Sequence, residues 1–316
     1  MPNRTLGFLL LVIVGIGAIY APVKNAARLG QTLLEVARRG IQHTTDKDNR
    51  LARSLPMVQT MVIWSTIKSI GSPRALELAQ VNRSVCTTQL RQLGVFTDPP
   101  FVAREGESVE RRWARFIELE ERKRLVMACF ILEAEFTTLH HLPPLVTLSD
   151  LKTTLPAAEE LWAASTAEAW YELHAITPTP LMIEVVMGQV LADSPFPLPA
   201  AVRLGPLSTQ VLIQGLHLLT YSSRQFRLLG MGAVAGMAVA GVRRSLCRLA
   251  RGPNPFEPEF GGTVGETGLM HSAVDVAYHF AQIATYLAPE ELDVVAGKES
   301  TAEGSAAASK VSDLNP

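Results

Sequence analysis

Apolar positions along this chain recur at three- and four-residue spacing, and the clearest such stretch is Arg111–Glu135. Trp113, Phe116, Ile117, Met127, Phe130, Ile131 and Ala134 fall at helical spacing there, which predicts a long amphipathic helix with one stripe packed into a core. Glu118 precedes Arg122 and Glu120 precedes Arg124 by four residues, the favoured order for ion pairs on a helix surface. Arg111, Arg112, Arg115, Arg122, Lys123 and Arg124 add positive charge, but Glu110, Glu118, Glu120 and Glu121 cancel most of it. The pattern therefore predicts a solvated, salt-bridged face rather than a phosphate-binding one.

Proline and glycine punctuate the rest. Asp98-Pro99-Pro100 closes the Leu55–Leu93 region, with Gly94 placed to end a helix. Pro143-Pro144, Pro156, Pro178 and Pro180 cut the next section into short pieces, with Ser149-Asp150 and Ser165-Thr166-x-Glu168 as expected helix caps. Ser194–Pro199 is a further break, and Asn254–Gly265 reads as an exposed loop before a last helix over Leu269–Leu287. From Gly297 to Pro316 small and polar residues dominate, and a disordered tail is expected.

Two apolar runs stand out. Gly7–Ala21 admits a membrane or secretory reading, with Arg4 ahead of it, although it falls short of the roughly twenty residues that cross a bilayer. It also imitates a strand–turn–helix dinucleotide unit at Gly15-Ile16-Gly17, but Tyr20 stands where a third glycine is needed, so an NAD(P)-binding enzyme is poorly supported. Leu228–Val242, with Gly232 and Gly236 four apart, is short for a span and reads as a glycine-rich core helix or, with the first run, as a membrane anchor.

Composition narrows the field. The chain has 316 residues, 47% of them hydrophobic, with net charge −1, so it is long enough for a sizeable core and has no charge-driven affinity for nucleic acid. Cys86, Cys129 and Cys247 are widely separated and no histidine pair lies at finger spacing, which argues against a disulfide framework or structural zinc. Glu133, Glu135, His140 and His141 lack metal-site spacing; His271, Asp275 and His279, four apart, share a helix face that reads as polar surface. Catalytic, cofactor and metal residues are accordingly expected to be absent.

The central stretch resembles the regulatory (middle homology) domain of fungal transcription factors, most closely the kind paired with Cys2His2 zinc modules. The resemblance rests on Trp113, Glu118, Glu121, Lys123-Arg124, Phe130, Leu132 and Glu133, then Pro143-Pro144, Leu155-Pro156 and Glu160-Leu161-Trp162. Glu133 replaces the usual Asp, and Lys123-Arg124 the usual Arg pair; both keep the charge. Leu55–Leu93 looks like the helical pair preceding this signature, and Gln210–Leu229 like the helix following it. Gly7–Ala21, ending in Gly17-Ala18-Ile19-Tyr20, looks like the family's opening segment and is then a buried core helix.

The resemblance implies an all-α fold. Residues 1–50 would form an N-terminal helical segment, 51–296 the regulatory domain with its signature at 111–162, and 297–316 the tail. It implies a nuclear transcription regulator, of a metabolic or secondary-metabolite gene set, with protein partners from the transcription machinery and homo-oligomerisation among its options. DNA contact and zinc would come only through a module absent from these residues, as in a truncated gene product. Trp162, Trp170 and the Pro143-Pro144 turn are the expected partner or effector surface if they do not simply pack the domain.

Overall fold

The computed structural model describes residues 2–192, 204–250, 266–288, 291, 293 and 294. Among them the chain forms eleven α-helices and no named strand, so the fold is all-α. The expected loop at Asn254–Gly265, the Ser194–Pro199 break and the tail at 297–316 lie outside the described residues. The helices group into two compact units: Met1–Glu133 with Asp150–Thr153, and Ala134–Ser149 with Thr154–Pro316.

The first unit contains α1 (Pro2–Tyr20), α2 (Ala26–Lys47), α3 (Leu55–Ser69), α4 (Pro73–Leu93) and most of α5 (Val109–His140). The turn between α1 and α2 passes through Asn25 at φ 64, a left-handed conformation that asparagine tolerates. The helices approach closely where glycine faces glycine. A Cβ on Gly30 would collide with the Gly15 carbonyl and come within 2.8 Å of Ile19. Helix α3 packs on α1 and α4, and Met57, Val58, Met61, Val62 and Trp64 supply its buried positions. Pro73 opens α4 and Ser72 caps it by accepting from the Ala75 N–H; Gly94, at φ 70, closes it as its placement predicted.

The N-terminal run departs from expectation. It is a continuous helix through Gly15 and Gly17, so the strand–turn–helix of a dinucleotide fold does not form. Nor is it a buried core helix. Val12 and Gly15 are covered, while Leu6, Leu10, Ile13 and Val14 are about half exposed, because only one face of α1 meets α2 and α3. Among the described residues no helix is long and apolar enough to cross a membrane.

The second unit carries the last turns of α5, then α6 (Glu159–Trp162), α7 (Ala167–Ile176), α8 (Ile183–Leu191), α9 (Pro206–Leu228), α10 (Gly232–Ala250) and α11 (Glu266–Ala284). Helix α9 is central: every residue from Ser208 to Leu218 is buried, and it packs on α10 and α11. The Leu228–Val242 run is not one helix. Chain direction changes at Gly230, φ 80, so its first residues end α9 and the rest start α10. The early part of α10 is largely exposed, with Met237 68% accessible, rather than core. The caps divide too: Thr166 accepts from the Ala169 N–H to start α7, while Ser149-Asp150 falls in a single 3-10 turn. The Leu155 N–H donates to the Leu181 carbonyl at 2.8 Å beside an isolated bridge between Thr154 and Met182.

Candidate functional site

Several charged residues of α5 are far drier than a solvated face, although Glu110, Arg111 and Glu118 stay exposed. Glu120 is 1% exposed and accepts from Lys123 Nζ at 2.9 Å and from Arg124 Nε at 3.0 Å. The expected Glu120–Arg124 pair thus forms, but inside the fold. The expected Glu118–Arg122 pair gives way to another: Arg122 forks onto Asp98 at 2.7 and 2.9 Å and also reaches the Leu93 carbonyl. One bidentate pair of bonds to a carboxylate fixed by the loop after α4 outcompetes a single helix-surface contact. Arg115 makes the same kind of fork with Glu107, holding that carboxyl below its usual pKa, and stacks over Phe101 at 4.8 Å.

At the end of this unit Glu133 accepts two bonds from Arg83 of α4, Nε at 3.0 Å and a terminal nitrogen at 2.6 Å, with both side chains buried. Cys86 and Cys129 lie buried nearby, and burial pushes the Cys129 thiol up to about 12. Burial thus disfavours the thiolate, the reactive form, at both positions. Phe130 and Leu132 are fully covered, and Glu121 accepts from Gln59 Nε2 at 2.7 Å. Trp113 is half-buried and Glu118 exposed.

The rest of the signature lies in the second unit. Leu155, Pro156 and Leu161 are buried, Pro144 and Trp162 half-buried, and Pro143 exposed. Of the expected partner surface, Trp170 is withdrawn: it is 1% exposed and tilts over His174 at 4.8 Å. Asp275 and His279 are exposed on α11, and no group of metal-binding side chains occurs among the described residues; the His271 side chain lies outside them.

Two features escaped the sequence reading. Arg83 sits on the stripe Ala79, Arg83, Cys86, Leu90, all buried; a lone arginine in an apolar helical stripe was the available signal for its pairing with Glu133. The other is a cavity of about 380 Å³ in the first unit, over α3 and between α2 and α4. Met61 and Trp64 line it from α3, Arg38 and Ile41 from α2, and Val81 and Asn82 from α4. These elements were legible separately, but nothing in the pattern reported the gap between them.

An acidic–basic helix that runs on to a Pro-Pro turn, with Leu155-Pro156 and Glu160-Leu161-Trp162 beyond it, is the arrangement on which the resemblance rests. The fungal-specific transcription factor domain profile matches residues 3–200. The chain belongs to this family. The match thus covers all of the signature, and the family is one of transcription factor domains, not of enzymes. Relatives include Transcription factor PfmaH of Pestalotiopsis fici, 23% identical over 55% of this chain and 20% of the relative. Transcription factor 1 of Elsinoe fawcettii is 26% identical over 54% of this chain and 18% of its own length. The nicotinate catabolism cluster-specific transcription factor of Emericella nidulans is 25% identical over 54% and 20%. The matched region is thus about a fifth of each of these relatives. No solved structure matches the chain significantly.

Proposed function

We propose that this chain is the regulatory part of a fungal transcription regulator and acts in the nucleus through contacts with proteins of the transcription machinery. The observation that carries this reading is the domain match over residues 3–200, which spans both the helical hairpins of the first unit and the signature. The near-neutral charge of the chain and the internal use of the α5 cations leave little for phosphate, so DNA is read by a zinc module outside these 316 residues. A relative named for a nicotinate catabolism cluster favours a metabolic gene set as the target.

Tethering the full 316-residue chain to a heterologous DNA-binding module upstream of a reporter tests the reading. Raised or lowered reporter output, lost with Arg83→Met, is the expected result. Output identical to the module alone, with the fusion present in the nucleus, overturns it.

A further inference from the structure

We infer that the cavity over α3 is a binding site for a neutral, largely apolar small molecule bearing one hydroxyl or N–H donor. Its volume, about 380 Å³, falls within the range of small-molecule pockets. A two-turn peptide helix, roughly 10 Å across and 10 Å long, would displace on the order of 800 Å³, so the cavity is too small for a helical partner. The lining is mostly apolar, with Trp64, 3% exposed, at its α3 side.

Gln42, Thr45 and Asp46 also line the cavity from the last turns of α2, with Gln42 and Asp46 exposed to water, while Asn82 brings polarity from α4. The Asn82 amide nitrogen is committed to α3, donating to the Met61 carbonyl at 3.2 Å and Ser65 Oγ at 2.7 Å, and to Cys86 Sγ at 3.4 Å. That anchoring sets the amide orientation, and among the described residues no donor meets Asn82 Oδ1, an acceptor open to a ligand donor. The one cation at the wall, Arg38, is already forked onto Glu35 at 2.7 and 2.9 Å, and the pair holds the Glu35 carboxyl down at about 2. An anionic ligand would have to displace Glu35 and would meet the Asp46 carboxylate at the same wall; Asp46 is exposed and hydrated, so it offers a cation little, and a neutral ligand fits best.

The site goes beyond the transcriptional reading and is tested on the purified full-length chain without reference to transcription. The probes are β-naphthol, which offers a hydroxyl donor, and its methyl ether, which does not. Calorimetric titration should show saturable one-site binding of β-naphthol, about threefold to tenfold tighter than the ether, the worth of one net hydrogen bond. Asn82→Leu should remove that preference while leaving ether binding in place. Val81→Trp, at a position 71% exposed, should block both probes without disturbing the core. Should Asn82→Leu fail to fold, the probe pair on the native chain and Val81→Trp decide the matter. Equal affinity for naphthol and ether, undiminished binding in Val81→Trp, or no saturable binding would each overturn the site.

Discussion

Arg83 and Glu133, fifty residues apart, meet as a two-bond fork in which the arginine is 5% and the glutamate 1% exposed. Charges so desolvated tolerate burial only while paired. Removing one partner takes two charge-assisted bonds from the other, and Arg83→Met or Glu133→Gln should each cost about 3–5 kcal/mol. The combined Arg83→Met, Glu133→Leu variant should be more stable than either single variant, because no uncompensated charge remains. Urea denaturation of the three proteins checks this; additive losses in the double variant would contradict it.

How much of this was legible depended on what each residue type reveals by itself. The buried stripe of Phe116, Met127, Phe130 and Ala134, the Gly94 stop and the Thr166 cap follow from local chemistry, and all three appear where the pattern put them. The all-α class came with the family resemblance; helical periodicity by itself marked α5. Burial of charge was not. Glu120 and Lys123 have the same spacing as any exposed i, i+3 pair, and only the packing around α5 makes them dry. The half-exposed α1 was misread for a related reason: an all-round apolar run does not show which face finds a partner. The cavity depends on the gap between two helices far apart in sequence, which has no local signature.

Glu135, in the last turns of α5, gives the second unit a pH dependence. Burial pushes its carboxyl from 4.5 up to about 7. Between those values the native chain keeps a proton that the unfolded chain has released. Its contribution is therefore fully present below pH 4.5 and lost as pH rises through 7. At roughly 1.4 kcal/mol per unit the loss approaches about 3 kcal/mol. Glu135→Gln should raise stability at pH 8 by up to that amount and leave pH 4 nearly unchanged. Thermal melts at the two pH values decide it; equal effects at both would be contrary.

His217 acts with the opposite sign. It is buried on α9, its Nε2 lies 3.1 Å from the Ala277 carbonyl on α11, and burial lowers its pKa from 6.5 to about 4. The carbonyl contact requires the neutral ring to carry its proton on Nε2. Here the unfolded chain takes up a proton first, so the contribution is present above pH 6.5 and lost as pH falls through 4. His217→Phe should flatten the stability profile between those values, at the cost of one net hydrogen bond, about 1 kcal/mol at pH 8. An unchanged acid limb in chemical denaturation would show that His217 is not held neutral.

The crossing of α1 and α2 makes opposite predictions for glycines that look alike in the sequence. Gly30 faces the Gly15 carbonyl and Ile19 so closely that an added methyl must push the two helices apart. Overpacking of this kind costs about 1–3 kcal/mol, which exceeds the gain in helix propensity, so Gly30→Ala should destabilise the first unit. Gly17 sits on the same α1 with nothing within 4 Å of its would-be Cβ. Alanine there meets no neighbour and restricts the unfolded chain, so Gly17→Ala should stabilise by about 0.4–1 kcal/mol. The two substitutions add the same atom to helices of the same hairpin, and only the helix crossing distinguishes them. Melting temperatures that moved in the same direction for both variants would mean that α1 does not pack on α2 through Gly15 and Gly30.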